Sequence, residues 1–204
     1  MNRFQMPLQN RVTPFSEIER NPARGLFTGN RGILHNAARE LVTMRWRHKA
    51  WIVCVLDYKG WRRTPMTPNR WTELFFLDEA TAFAAGHRPC GFCRRDAYKV
   101  FLKLSGFAGA KDLDAALHQE RTRPQAKVAF GELPHLSLFA IGKEAFLKHR
   151  DGVFLWSHSG YRQVEDVSEA TMLCPLTPSI TRRVLAAGYR PAVHQIPSAA
   201  RFSA

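Results

Sequence analysis

Long apolar runs are missing from this 204-residue chain. No segment approaches the roughly 20 consecutive apolar residues that a membrane-spanning helix needs. The start, Met1-Asn2-Arg3-Phe4-Gln5-Met6-Pro7, lacks the apolar core of a signal peptide, so a cytoplasmic protein without a membrane partner is expected. Cysteine is scarce. Four cysteines with no secretion signal favour reduced thiols or a metal over a disulfide framework. Catalytic signatures are also missing: there is no Gly-x-Ser-x-Gly elbow, no His-Glu-x-x-His and no Gly-x-x-x-x-Gly-Lys loop. Enzyme status is therefore open and leans toward a non-enzyme. Hydrophobic residues, at 45%, are ordinary for a globule of one large or two small domains.

Acidic charge is the other shortage. The 17 Asp and Glu face 30 Lys and Arg, a net charge of +13 that attracts polyanions. The excess is N-terminal, because residues 1–63 hold 12 Lys and Arg against 4 Asp and Glu. Arginine dominates, and its planar fork suits phosphate. Arg31, Arg45, Arg47, Arg62 and Arg63 interleave with Trp46, Trp51 and Trp61, and Arg94 and Arg95 follow further on. Arginines alternating with aromatics can pair phosphate contact with base stacking, so nucleic acid, DNA ahead of RNA, is the expected partner. The competing reading is that the tryptophans are core and the arginines coat a basic surface.

What the chain does have is Cys90-Gly91-Phe92-Cys93. Two thiols at i and i+3 can meet one ion when the backbone between them makes a tight knuckle, for which Gly91 offers conformational freedom and Pro89 a stiff entry. Zinc is the natural occupant of thiolate and imidazole sites. The rivals are two buried thiols, a redox pair and a deaminase half-site. A redox pair would directly follow a strand, whereas this one follows a Gly-terminated helix. A deaminase needs His-x-Glu upstream, and His118-Gln119-Glu120, the only such triplet, lies downstream in an amphipathic run.

Phe75-Phe76-Leu77-Asp78-Glu79-Ala80, followed by Ala84-Ala85-Gly86-His87-Arg88-Pro89-Cys90-x-x-Cys93-Arg94, resembles the second half of the Ada-type zinc-binding module of DNA alkylation-response proteins. The resemblance implies zinc on Cys90 and Cys93. In that family an earlier Cys-x-x-x-Cys supplies two more thiolates, one of which can accept a methyl group from DNA. Only Cys54 precedes Cys90 here. The departure counts against methyl transfer and leaves zinc binding intact. Cys54 and His35 are favoured as the remaining ligands because both precede the knuckle, as the family's first ligand pair does. His87 is expected to orient the knuckle, Cys174 to be core, and His194 is a weaker candidate. Were one metal position open to water, Glu73, Asp78 or Glu120 could act as base, although a closed structural site is favoured.

Turn residues organise the rest. Met1 to Gly32 reads as an extended, Pro-punctuated arm, residues 36–46 as a short helix, and residues 51–56 with 61–66 as a hairpin. Thr72 to Leu77 reads as a strand, Asp78 caps a helix that Gly86 stops, and residues 93–104 and 111–121 read as helices. Residues 136–141, 145–149 and 153–156 read as a strand meander, and Thr177-Pro178 opens a helix that Gly188 stops. Ala186-Ala-Gly-Tyr-Arg-Pro echoes Ala84-Ala-Gly-His-Arg-Pro and reads as a second helix stop of the same kind. The expectation is an α+β protein. Residues 1–108 would form a zinc-knuckle half of mixed α/β structure, and residues 109–204 a small antiparallel β-rich half. Its expected role is zinc-stabilised nucleic-acid contact. The alternatives are a zinc-dependent hydrolase or deaminase-like enzyme on nucleic acid, or a protein-interaction module.

Overall fold

The computed structural model describes residues 6–61 and 64–197, and within them the chain is α+β, with two six-stranded sheets and four α-helices. No helix among the described residues is long and apolar enough to cross a membrane. The first sheet draws three strands from the stretch expected as an arm: β1 (Gln9–Val12), β2 (Ile18–Arg20) and β3 (Phe27–Asn30). β1 turns into antiparallel β2 through Pro14, with Thr13 N–H bonded to the Glu17 carbonyl. β4 (Ile52–Val55), β5 (Leu74–Phe76) and β6 (Arg88–Pro89) complete it in the order β2-β1-β5-β3-β4-β6. The prolines that exclude a long helix are no bar to short strands separated by turns.

Two expectations fail in this half. Residues 36–46 form no helix: Asn36 accepts from Glu40 N–H, Arg39 sits at φ 63°, and His35 bridges Leu41 in an irregular loop. Most of that segment is exposed, so it has no apolar face with which packing could stabilise a helix. The expected hairpin partner at 61–66 is likewise absent as a strand at residues 64–66, and β4 pairs with β3 and β6 instead. Gly29 permits this close approach, since a Cβ there would lie 2.1 Å from the Ile52 carbonyl oxygen.

The short helix α1 (Glu79–Ala84) is the joint of the molecule. All six of its residues are buried, and Asp78 caps it by accepting from Thr81 N–H at 2.7 Å. Ala82 and Phe83 face a core built on the first sheet, while Ala80 and Ala84 face a second core under the other sheet. Asp78 also accepts from Tyr161 Oη and His194 N–H, and Glu79 accepts from Tyr189 Oη and Ala192 N–H, tying the C-terminal segment to this helix. Asp78→Ala should therefore lose a cap and leave Tyr161 and His194 short of an acceptor. A destabilisation of about 1–3 kcal/mol is expected, read by denaturant unfolding.

α2 (Arg95–Ser105) and α3 (Ala110–Arg121) follow, and α4 (Ser179–Ala186) packs beside α2. The two Ala-Ala-Gly stops share one geometry. Gly86 and Gly188 lie at φ 84° and 105°, and His87 and Tyr189 donate back to Ala82 and Val184. The second sheet is an antiparallel array of β7 (Val128–Ala129), β8 (Leu138–Ile141), β9 (Glu144–His149), β10 (Gly152–Ser157), β11 (Gly160–Val164) and β12 (Met172–Pro175). Leu113 and Leu117 of α3 and Ile180, Val184 and Leu185 of α4 share one core with Val53, Leu74 and Phe76. The boundary expected between 108 and 109 thus does not separate two cores, because α3 and α4 fold back over the first sheet.

Candidate metal centre

Alternation along the strands sorts the first sheet into two faces. Val53, Leu74 and Phe76 point to the helices and core, whereas Thr28, Asn30, Ile52, Cys54 and Phe75 line a cavity on the other side. Register then brings the knuckle to Cys54. β6 runs parallel to β4 with Val53 opposite Pro89, so the next residue, Cys90, donates its N–H to the Val53 carbonyl at 2.9 Å; the pair thus directly follows a strand, contrary to the expectation that it follows only a Gly-terminated helix. The chain turns at once into α2, with Arg94 N–H on the Cys90 carbonyl and Phe92 N–H 3.4 Å from Cys90 Sγ. Gly91 has no left-handed backbone here, and a Cβ at this position would make a tight contact of 3.3 Å with the Tyr98 ring.

The sulfurs of Cys54, Cys90 and Cys93 all lie within 4.8 Å of one another. Three ligands at about 2.3 Å from a tetrahedral ion are about 3.8 Å apart, so this cluster fits a zinc-sized soft cation with little movement. All three thiols are free. Hydrogen bonds from Cys54, then Cys93, push the Cys90 thiol down in pKa, and the same contacts, with burial, push Cys54 up. Thiols this close titrate as one group, in which each negative charge opposes the next. A dication removes that opposition.

The cavity in front of the sulfurs measures about 650 Å³. Its walls include Tyr58, Trp61, Trp71, Phe75 and Phe92, with Thr28, Asn30 and Glu73 as polar members. Tyr58, Trp61 and Phe92 touch, with ring centroids 5.1–6.1 Å apart. Glu73 is buried and accepts from Met66 N–H at 2.7 Å. No other His, Cys, Asp or Glu among the described residues joins the three sulfurs.

His35, expected as a ligand, is elsewhere. Its Nδ1 lies 2.7 Å from Thr72 Oγ1 and its Nε2 3.1 Å from the Thr67 carbonyl, so both ring nitrogens are spent pinning two loops together. Cys174 is exposed on β12 rather than core, and His194 gives its backbone N–H to Asp78. His87 lies on the helical face, bonded to Arg31 and the Ile52 carbonyl. Of the acids considered as bases, Asp78 holds the α1 cap and Glu120 accepts from Ser179 and Ile180, at the start of α4; only Glu73 lines the thiol cavity.

No family model, curated protein or solved structure matches this chain. The Ada-type resemblance accordingly rests on residues 75–94 alone.

The basic residues separate by burial. Arg45, Arg47 and Arg95 are exposed. Arg31 is buried, and Arg94 pairs with buried Glu79 at 2.6 Å while lying over the Phe27 ring, so these two are not part of an outer coat. Arg62 and Arg63 lie outside the described residues. Trp51 is buried, whereas Trp46 and Trp61 reach the surface. The aromatic lining of the thiol cavity has no signature in spacing, since its members come from three separate stretches, 58–61, 71–75 and 92.

Proposed function

We propose that the chain holds one zinc ion on Cys54, Cys90 and Cys93, and that the fourth ligand comes from the contents of the aromatic cavity, which receives part of a nucleic acid. The observation that carries this reading is that all three cysteines line a cavity that also contains a carboxylate, with no fourth His, Cys, Asp or Glu beside the sulfurs among the described residues. Three soft donors suit zinc better than magnesium or calcium, and a three-protein-ligand site is the pattern of zinc that does chemistry. Zinc when bound supplies a Lewis acid and neutralises the thiolates.

The chain's own residues divide the remaining tasks. Tyr58, Trp61 and Phe92 offer flat faces on which a base can stack. The Asn30 amide can bond a polar edge, and the Glu73 carboxylate can take up or return a proton. The activity class that follows is hydrolytic, of the hydrolase or deaminase-like kind. Exposed Arg47 and Arg95 supply phosphate contacts outside the cavity.

A closed structural site is the second reading, supported by the way the cluster ties β4 to the start of α2. Elemental analysis with X-ray absorption on the purified protein separates the two. One zinc per chain with three sulfurs and a lighter ligand is expected. Four sulfurs would establish the closed site, and metal-free folded protein would remove both readings. Glu73→Gln should keep the zinc and abolish hydrolysis of a nucleic-acid substrate.

A further inference from the structure

On the helical face of the first sheet, opposite the thiols, lies a second cavity of about 380 Å³ bordered by Arg31, Arg45, Arg121 and Arg123. Arg31 is only 1% exposed. Its Nε donates to His87 Nε2 and its Nη1 to the Ser16 carbonyl, each at 3.0 Å, while its Nη2 is buried with no hydrogen-bond partner among the described residues. Since His87 Nδ1 faces the Ile52 carbonyl at 3.1 Å, that nitrogen carries the proton and Nε2 accepts as a neutral imidazole. The Arg121 guanidinium donates to the Gly86 and Lys49 carbonyls. Both guanidinium groups contact the Trp51 ring, at 4.0 Å and 4.5 Å from its centroid.

Every contact of Arg31 is therefore neutral, and neither Arg31 nor Arg121 is in an ion pair among the described residues. The carboxylates on the cavity are Glu17, which is exposed, and Glu120, which is bonded to Ser179 and Ile180. Burial, Arg121 and Arg45 together push the Arg31 pKa down to about 9, the electrostatic mark of a cation lacking a counter-ion. Two guanidinium groups gathered on one indole, one with an unsatisfied buried nitrogen, are costly unless an anion completes them.

We propose that this cavity binds a phosphate group, held from within by Arg31 and Arg121 and from the surface by Arg45 and Arg123. Arginine forks match the oxygens of a phosphate dianion, and Trp46, which borders the cavity and reaches the surface, gives an attached ring something to stack against. The site deepens the nucleic-acid reading and rests on it only for where the phosphate comes from.

The test is a thermal-melting titration of the full chain with inorganic phosphate, ionic strength being held constant with chloride. A phosphate-specific rise in Tm is expected, with binding at least tenfold weaker in the Arg45→Gln/Arg123→Gln double variant, whose exposed positions leave the core untouched. No rise beyond chloride, or a rise unchanged in the double variant, overturns the site. Fluorescence anisotropy with a short single-stranded DNA, with and without a 5′-phosphate, then identifies the source. Tighter binding of the phosphorylated strand, displaced by inorganic phosphate, places a nucleic-acid terminus in the cavity. Binding of inorganic phosphate with no competition from either strand keeps the site for free phosphate and removes a nucleic acid as its source.

Discussion

Replacing Cys90 with Ser is expected to strip the zinc and destabilise the protein in one step. Binding energy at a metal site absent from the unfolded chain is folding energy, with apparent values of roughly 10–16 kcal/mol in zinc-finger peptides. Even half of that, at about 2–4 °C per kcal/mol for a chain of this size, lowers Tm by about 10 °C or more. Cys54→Ser and Cys93→Ser should behave alike, because each removes one of three thiolates that sit within 4.8 Å. Cys174→Ser and His35→Ala are the controls. Both should retain one zinc per chain, although His35→Ala will lose some stability through its bonds to Thr72 and Thr67. Elemental mass spectrometry and melting curves on the five variants check this. Zinc retained in Cys90→Ser, or lost in His35→Ala with the fold intact, would contradict the proposed ligand set.

Asp114→Ala should be among the most damaging substitutions far from the thiols. Arg88 and Asp114 form a two-pronged ion pair, Nε to Oδ1 at 2.8 Å and Nη2 to Oδ2 at 2.7 Å, with side chains only 7% and 9% exposed. Removing the acid strands a buried guanidinium, a change that costs about 3–5 kcal/mol. The position matters for the metal centre as well. Arg88 belongs to β6, the strand that delivers Cys90 to Cys54, and it also lies over Tyr98, the ring that crowds Gly91. Chemical denaturation should show the loss, and zinc affinity should fall with it. Unchanged stability would mean that Arg88 finds another acceptor or reaches water.

Cys90 and Cys93 were legible as a ligand pair because two thiols three residues apart meet through local backbone alone. Asp78 as a cap, Gly86 and Gly188 as stops, and the meander of the second sheet were legible for the same reason: each depends on a few consecutive residues. Cys54 stood out only as the last cysteine upstream. Its place beside Cys90 depends on the parallel pairing of β4 with β6, a contact between segments about 35 residues apart. His35 had equal claim in the sequence and went elsewhere, because Thr67 and Thr72 satisfied both its nitrogens first. The basic count signalled a polyanion partner, yet nothing in it marked Arg31 as buried.

The sequence by itself determined the α+β class, the helix caps and stops, the knuckle and the cationic excess, all of which follow from local chemistry or composition. Only the tertiary structure decided which third thiol meets the knuckle, that Glu73 shares its cavity while Glu120 accepts from Ser179 and Ile180 at the start of α4, and that Arg31 and Arg121 converge on Trp51. Those outcomes rest on strand register and on which face of a sheet each side chain takes, and a shift of one residue in register would exchange the faces.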